Sequence, residues 1–444
     1  MVLLMNNIFT CIFKKNNYII LFSYLLLLPL GSLQSQNFEN FGFYGYFRSG
    51  FGLDSRGKSM SPFQAPNAES KYRLGNEAET YLETAFVYFL KDESGATFDT
   101  RILLAMVTPM SESNSFATTM SLREAYVVAR NVWKAFPEAA FWAGQRYYDR
   151  YDLHLSDFWY RDMSGFGGGV EDFMIGKIKT AFAYLGGSID QLSPSGSAYN
   201  PEDFVINKSS FDLRLYEIKT PIGELGFTST FSFLNGDSIV TDQGTITLID
   251  SKGWSAGMFY IIPIYSDDSR NITNIFYGTG AAENYRSVMT TPLGVSLQPG
   301  DTYNPDDIKR FRIINDLLVN FSYKFSLQNS IVYQNLDNGL SKNNHFTWFS
   351  VGIRPMWHFN KYFSLAMEFG WDYTKQEGED SGSLIKITLA PQISPQNSAM
   401  SRPALRLFIT YAFWSNSFVG QVSPLSYGNQ NEGLTAGIQA ETWW

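Results

Sequence analysis

Phe41-Gly-Phe-Tyr-Gly-Tyr-Phe-Arg-Ser-Gly-Phe-Gly52 is the stretch whose reading decides the fold. Phe41, Phe43, Phe47 and Phe51 fall on one parity, and Tyr44, Tyr46 and Arg48 on the other. Successive side chains of a strand point to opposite faces, so this segment carries benzyl groups on one face and hydroxyls with a guanidinium on the other. The same rule applied to Tyr72 through Leu90 sets Leu74, Leu82, Phe86, Tyr88 and Leu90 against Arg73, Glu77, Glu79, Tyr81 and Glu83. At the far end Leu434, Ala436, Ile438, Ala440, Thr442 and Trp444 oppose Thr435, Gln439, Glu441 and Trp443.

A water-soluble sandwich alternates too, so periodicity alone does not choose between a buried core and lipid. Three features tilt the choice. Residues 72 to 90 would hold far more than the usual strand of about 5 to 6 residues. Several apolar faces end in aromatics, as a membrane girdle requires. The sequence also ends on an aromatic in a strand, Trp444, like the terminal signal of bacterial outer-membrane barrels. No stretch beyond residue 35 holds 18 consecutive apolar residues, which excludes helical spans. In lipid every backbone N–H and C=O must be paired internally, and strands achieve that only in a closed barrel. The expected fold is therefore all-β, a closed transmembrane antiparallel β-barrel. At about 22 residues per strand with its connections, the chain accommodates about 16 to 18 strands, wide enough for an aqueous channel rather than a packed interior. Turn signals such as Asn235-Gly236 and Asn338-Gly339 separate the strands, and no linker or repeat divides them.

Composition narrows the function. With 34 basic against 42 acidic residues and a formal net charge of −8, the chain is a poor partner for nucleic acid. One cysteine and three histidines (Cys11, His154, His345, His358) leave little for disulfides, metal sites or imidazole catalysis, and no cofactor is expected. Lys14 and Lys15, the apolar run Tyr18 to Leu30, then Gly31, Ser32 and Ser35, describe a secretory signal over residues 1–35. Cys11 leaves with it, and residues 36–444 form one barrel domain.

Between two strand-like segments lies Arg150-Tyr-Asp-Leu-His-Leu-Ser-Asp-Phe-Trp-Tyr-Arg-Asp162, followed by Gly165 to Gly169. It mixes charge with aromatic rings and is long enough to fold inward and narrow a pore. The glycines lack the Lys-Ser/Thr that completes a phosphate loop, so they read as a turn. Asp152 and Asp157 admit a second reading, as a glycosidase carboxylate pair, although nothing in the sequence marks one as a raised-pKa acid.

At this point the sequence resembles the maltoporin-type carbohydrate porins of bacterial outer membranes. The matching runs, in order, are Gly45–Gly50, Ser70–Glu77 continuing to Glu83, Arg123–Ala125, Trp142–Arg146 into the loop, Phe211–Leu215, Val351–Met356, Lys386–Ala390, Ser401–Pro403 with Arg406, and Trp443-Trp444. Residues 185 to 345 match poorly. The resemblance implies an 18-stranded barrel with an inward constriction loop, assembled as a trimer in outer-membrane lipid. It implies facilitated diffusion of linear oligosaccharides along a slide of aromatics between polar tracks. Carried over, the slide includes Tyr46, Tyr81 and Trp443, with Phe116 reaching in from a neighbouring subunit. The polar tracks are Arg48, Arg73, Glu83, Arg123, Arg150, Asp152 and Asp157. Departures are Trp159 where the family has its constriction tyrosine, and Met400 where it has a slide tryptophan. Parity alone also places Tyr46, Arg48, Arg73, Tyr81, Glu83 and Trp443 on the lumen side.

A pyranose shows C–H patches on its faces and hydroxyls at its rim, which suits rings flanked by Arg, Asp and Glu. The alternatives are a general diffusion porin with structural aromatics, a barrel-embedded hydrolase that would need one of the three histidines, and a secreted carbohydrate-binding protein.

Overall fold

The computed structural model describes residues 40–109, 119–188, 207–241, 243–264, 266–288, 290, 292, 295 and 297–444. The secretory signal read over residues 1–35 lies outside them. An 18-stranded sheet runs from Phe41–Asp54 to Glu432–Trp443, and these two strands pair with each other, from Tyr46 opposite Trp443 to Asp54 opposite Thr435. That seam closes the sheet, so no edge is left to be satisfied by lipid. Connections alternate in length. Short turns such as 176–177, 221–222 and 323–324 gather at one end, and long segments such as 55–78, 147–164 and 415–431 at the other.

Burial is inside out relative to a soluble protein. Strand Ala404–Trp414 exposes Leu405, Leu407, Ile409, Tyr411 and Phe413, and buries Arg406 and Thr410. Phe43 is 54% exposed while Glu441 is 3% exposed. Apolar side chains face outward where hydrocarbon would be, and polar ones face the interior. Outward rings form two bands. Phe41–Tyr88 and Phe325–Trp357 mark the short-turn end, with centroids 5.1 and 5.4 Å apart. Trp254–Tyr277 and Tyr411–Phe413 lie nearer the long-loop end.

Two expectations need correction. Residues 72 to 90 are not one strand: pairing begins at Glu79, in strand Glu79–Lys91, and the preceding segment folds into the barrel. Asn76 breaks the pattern, its side chain donating to the carbonyls of Phe63 and Tyr72 and accepting from the amide of Phe63. Leu74 is consequently buried in the lumen, not on the lipid face; its amide donates to Glu368 and its carbonyl accepts from Lys386. Nor is the interior wholly aqueous. The inward segment and the hairpin Arg150–Leu153/Phe158–Asp162 cover the wall that carries Arg312, Trp348 and Arg354. Buried charges there are tolerated where they meet their opposites: Glu69 takes Arg310 and Arg312, and Glu368 takes Arg354 and Lys386.

The seat of the inward segment is specific. Tyr72 lies on Gly352 and Gly370, where a Cβ would come within 2.0 and 2.1 Å of its ring, and its hydroxyl meets Ser350 Oγ at 2.7 Å. Gly370→Ala is therefore expected to lift the ring and loosen the segment, at a cost of about 1–3 kcal/mol. In planar bilayers its single-channel conductance should exceed that of the unaltered protein; an unchanged conductance would show that the segment does not limit the opening.

Candidate functional site

The closing seam sets the site. Across three strands, Tyr46 stands opposite Glu83 on one side and Trp443 on the other, while Arg48 stands opposite Tyr81 and Glu441. Residues two apart on a strand share a face, so these two rows lie side by side on the inner wall, and each strand contributes one ring and one charge: Tyr81 with Glu83, Tyr46 with Arg48, Trp443 with Glu441. The Tyr46 and Tyr81 rings are 6.1 Å apart, and the Arg48 guanidinium lies 5.0 Å from the Tyr81 centroid.

The inward segment supplies Arg73. It donates to Tyr46 Oη at 2.6 Å and to Glu77 at 2.7 Å, and pairs with Glu441 at 3.2 Å. Arg48 is held from three sides, by Glu79 at 2.5 Å, Asp157 at 2.8 Å and Glu77 at 3.4 Å. A guanidinium held by three carboxylates is a rigid donor surface rather than a mobile charge.

The hairpin forms the opposite wall. Arg150 is sandwiched between Tyr147 and Trp159, 4.0 and 3.6 Å from their centroids, and its Nε donates to Asp162 at 3.0 Å. Trp159 thus serves as one plate of a cation–π stack, a role a larger ring fills well. Tyr147 also donates to Glu83 Oε1 at 2.9 Å, the oxygen that accepts from Tyr81 at 2.5 Å. Asp157 turns the hairpin with φ of 55°, a left-handed conformation that Asp tolerates. Burial would raise its carboxyl, but Arg73 and Arg48 outweigh that and hold it below the usual carboxylate range. Asp152 goes the other way: burial and then the charge of Asp157 raise it, against the expectation that no carboxyl here is raised.

Tyr46, Arg48, Arg73, Tyr81, Glu83, Arg150, Asp152, Asp157, Trp159 and Trp443 line one cavity of about 390 Å³. Arg123 lines a neighbouring cavity of about 470 Å³ that shares Tyr81 and Arg150 with the first. Phe116 lies outside the described residues. Sequence reasoning missed two members. His154, read as a loop polar group, lines the first cavity between Arg73 (3.3 Å) and Arg402 (3.1 Å), edge-on to Trp443. Burial pushes its imidazole well below the ordinary range; Glu441 opposes this, while Arg73 and Arg402 reinforce it. A neutral imidazole accepts at one nitrogen only, so just one of the two guanidinium contacts is a hydrogen bond. Its position two residues beyond Asp152 was the available signal. Tyr147 gave none, since it lies just past strand Ala140–Arg146.

Arg402 comes from the other end of the barrel. The turn 394–403 brings its guanidinium to 4.3 Å from the Trp443 centroid and 2.6 Å from Glu441. Met400, where the aromatic path breaks, takes a weak contact from Gln328 Nε2 at 3.6 Å.

Among solved structures the chain is similar to OccAB1 of Acinetobacter baumannii, with 10% identity and a TM-score of 0.47, over 91% of this chain and 97% of that one. It is similar to OpdK of Pseudomonas aeruginosa with vanillate, at 10% identity and a TM-score of 0.47, over 91% and 99%. Salmonella typhi OmpF in complex with daunomycin gives 10% identity and a TM-score of 0.45, over 90% and 97%. These likenesses are too distant to carry residue roles. A family model, the LamB porin, matches residues 41–444, every strand of the barrel and the poorly matching middle included. The closed inside-out barrel and that match place the protein in the outer membrane as a porin, and the chain belongs to the LamB porin family.

Proposed function

We propose that this porin passes linear oligosaccharides of the maltodextrin kind by facilitated diffusion, as a homotrimer whose mature chain begins near residue 36, and that it catalyses no reaction. The observation that carries the reading is the pair of rows at the seam, Glu83–Tyr46–Trp443 and Tyr81–Arg48–Glu441, which set a ring beside a charge on each of the three strands: Tyr81 with Glu83, Tyr46 with Arg48 and Trp443 with Glu441. Rings spaced 6.1 Å apart offer successive stacking places to a pyranose chain, and the flanking Glu83, Arg48 and Asp157 exchange hydrogen bonds with its rim hydroxyls. Several weak sites in series admit a sugar and release it again, which one deep well would not. A general diffusion porin would not need charged groups fixed on both sides of its rings.

Planar bilayer conductance with a maltodextrin series tests this. The unaltered porin should show saturable block that deepens with chain length, and the sugar recovered beyond the membrane should be unshortened. Trp159→Ala should raise conductance and weaken block about 3- to 10-fold, because Arg150 loses one plate of a stack worth about 0.5–2 kcal/mol and the hairpin widens. Absence of block by any sugar would leave only a general diffusion porin. Cut sugar would point instead to a hydrolase, the one activity for which the raised Asp152 carboxyl would be suited.

A further inference from the structure

The two abutting cavities differ in charge balance. In the first, each guanidinium has a carboxylate: Arg48 has Glu77, Glu79 and Asp157, Arg73 has Glu77 and Glu441, and Arg150 has Asp162. In the second, toward the long-loop end, Arg123 and Arg286 line the space, and among the described residues neither makes an ion pair. Its one lining carboxylate, Asp162, is already engaged, by Arg150 Nε and by the amide and hydroxyl of Ser164. Two positive charges with no carboxylate at ion-pair distance among the described residues therefore face a cavity of about 470 Å³.

Arg286 is built in rather than merely exposed. Its carbonyl accepts from the buried Lys208 Nζ at 2.7 Å, and its own amide donates to Asn284 Oδ1 at 3.3 Å. On either side of it, the Tyr285 carbonyl takes the amide of Asp162 at 3.1 Å, and Ser287 Oγ donates to the Ser164 carbonyl. Gly187 lets this segment approach the wall, since a Cβ there would come within 2.6 Å of Val288. The main chain is pinned to the constriction hairpin, while among the described residues the guanidinium makes no ion pair. A planar donor fork carried on a pinned main chain beside open space is suited to a bidentate oxyanion.

We propose that this second cavity is an oxyanion site, which takes the carboxylate or sulfate substituent of an acidic oligosaccharide while its uncharged rings lie along the seam. Arg286 and Arg123 bind the anionic group, and the shared walls Tyr81 and Arg150 connect the two sites, so a chain of a few residues engages both. The inference rests on the seam being a sugar path, and it names the class of sugar that the porin prefers.

The experiment uses the full-length porin in planar bilayers, with four probes: a neutral maltodextrin, a sulfated maltodextrin and an oligogalacturonate of equal length, and inorganic sulfate. Both acidic sugars should block at about tenfold lower concentration than the neutral one, the size of effect expected for one charge-assisted hydrogen-bonded contact. Raising the salt from about 0.1 to about 1 M should erase that advantage, because the Debye length falls from about 10 to about 3 Å. Arg286→Gln should remove it at low salt and leave the neutral block unchanged, and Arg286→Lys should restore part of it. Arg286→Gln should also move the reversal potential in a salt gradient toward cations, a readout that needs no sugar. Equal block of the unaltered porin by acidic and neutral sugars, or acidic block that survives Arg286→Gln, overturns the proposal. Full competition by inorganic sulfate at the same concentration overturns it too, by showing a site for small anions. Failure of the seam reading looks different: the neutral maltodextrin then gives no block, while the reversal-potential shift of Arg286→Gln persists.

Discussion

Glu441→Ala is expected to destabilise the barrel by about 3–5 kcal/mol and to raise its conductance, the largest structural effect of any single substitution at the site. Glu441 is 3% exposed and receives Arg402 at 2.6 Å, Arg406 at 3.0 Å, Arg73 at 3.2 Å and the Tyr46 hydroxyl at 3.2 Å. Removing the carboxylate leaves three guanidiniums close together in a poorly hydrated wall. Their fallbacks are unequal. Arg73 keeps Glu77 at 2.7 Å and Arg406 keeps Gln392 at 2.8 Å. Arg402 keeps the carbonyls of Ala399 and Ser401, a contact with His154 and the face of Trp443. His154 offers no replacement charge. The turn 394–403 should therefore leave the lumen first. The temperature at which the heat-modifiable band shifts in detergent should fall well below that of the unaltered protein, and single-channel conductance should rise. Glu432→Ala is the control: among the described residues that exposed carboxylate accepts only from Tyr411, and its loss should cost no more than about 0.5 kcal/mol. If the two substitutions prove equally mild, lumen water solvates the three guanidiniums and the wall is not dry.

Strand chemistry was legible because it is local. A parity rule needs no knowledge of partners, and Phe41 to Gly52 and Leu434 to Trp444 obey it to the last residue that touches the lumen. It failed where the chain left the sheet without changing its alternation. Tyr72 to Ala78 still alternate, but they do so as a segment seated on Gly352 and Gly370, and nothing nearby in sequence announces two glycines so far downstream. Arg73 and Glu77 came out on the lumen side for the wrong reason. Resemblance brought Asp152, Asp157 and Trp159 to the cavity, because loop residues reach it through a hairpin that periodicity does not describe. What neither route could reveal is the arrangement of charge. That Arg48 meets three carboxylates, while among the described residues Arg286 pairs with none, depends on side chains brought in from other segments, Glu79 and Asp157 standing 31 and 109 residues from Arg48. The filling of much of the interior escaped notice for the same reason: strand number sets the width of a ring, not what its long loops do inside it.

Tyr81→Ala is expected to weaken maltodextrin block about 10- to 100-fold, the largest functional effect, while the open-channel conductance stays level or rises. Covering the C–H face of a pyranose with a ring removes apolar area worth about 1.5–3 kcal/mol, and the sugar has no substitute surface at that point of the wall. The ring also carries a hydroxyl that donates to Glu83, so the substitution confounds stacking with hydrogen bonding. Tyr81→Phe separates them. Glu83 keeps the Tyr147 donor at 2.9 Å, and block should stay within about threefold if stacking dominates, since the ring face is kept and the hydroxyl that is lost bonds Glu83. A Phe variant as impaired as the Ala variant would assign the sugar contact to the hydroxyl and carboxylate network instead. Trp443 sharpens the comparison. Although it is the larger ring, one face is taken by Arg402 at 4.3 Å and His154 stands edge-on at 6.0 Å, whereas Tyr81 has Arg48 at 5.0 Å. Free ring face rather than ring size should then rank the slide: Trp443→Ala costs less block than Tyr81→Ala, and Arg402→Gln, by uncovering Trp443, strengthens block. The reverse order would mean that sugar displaces Arg402 on entry, and that the cation is a competitor for the ring rather than its lining.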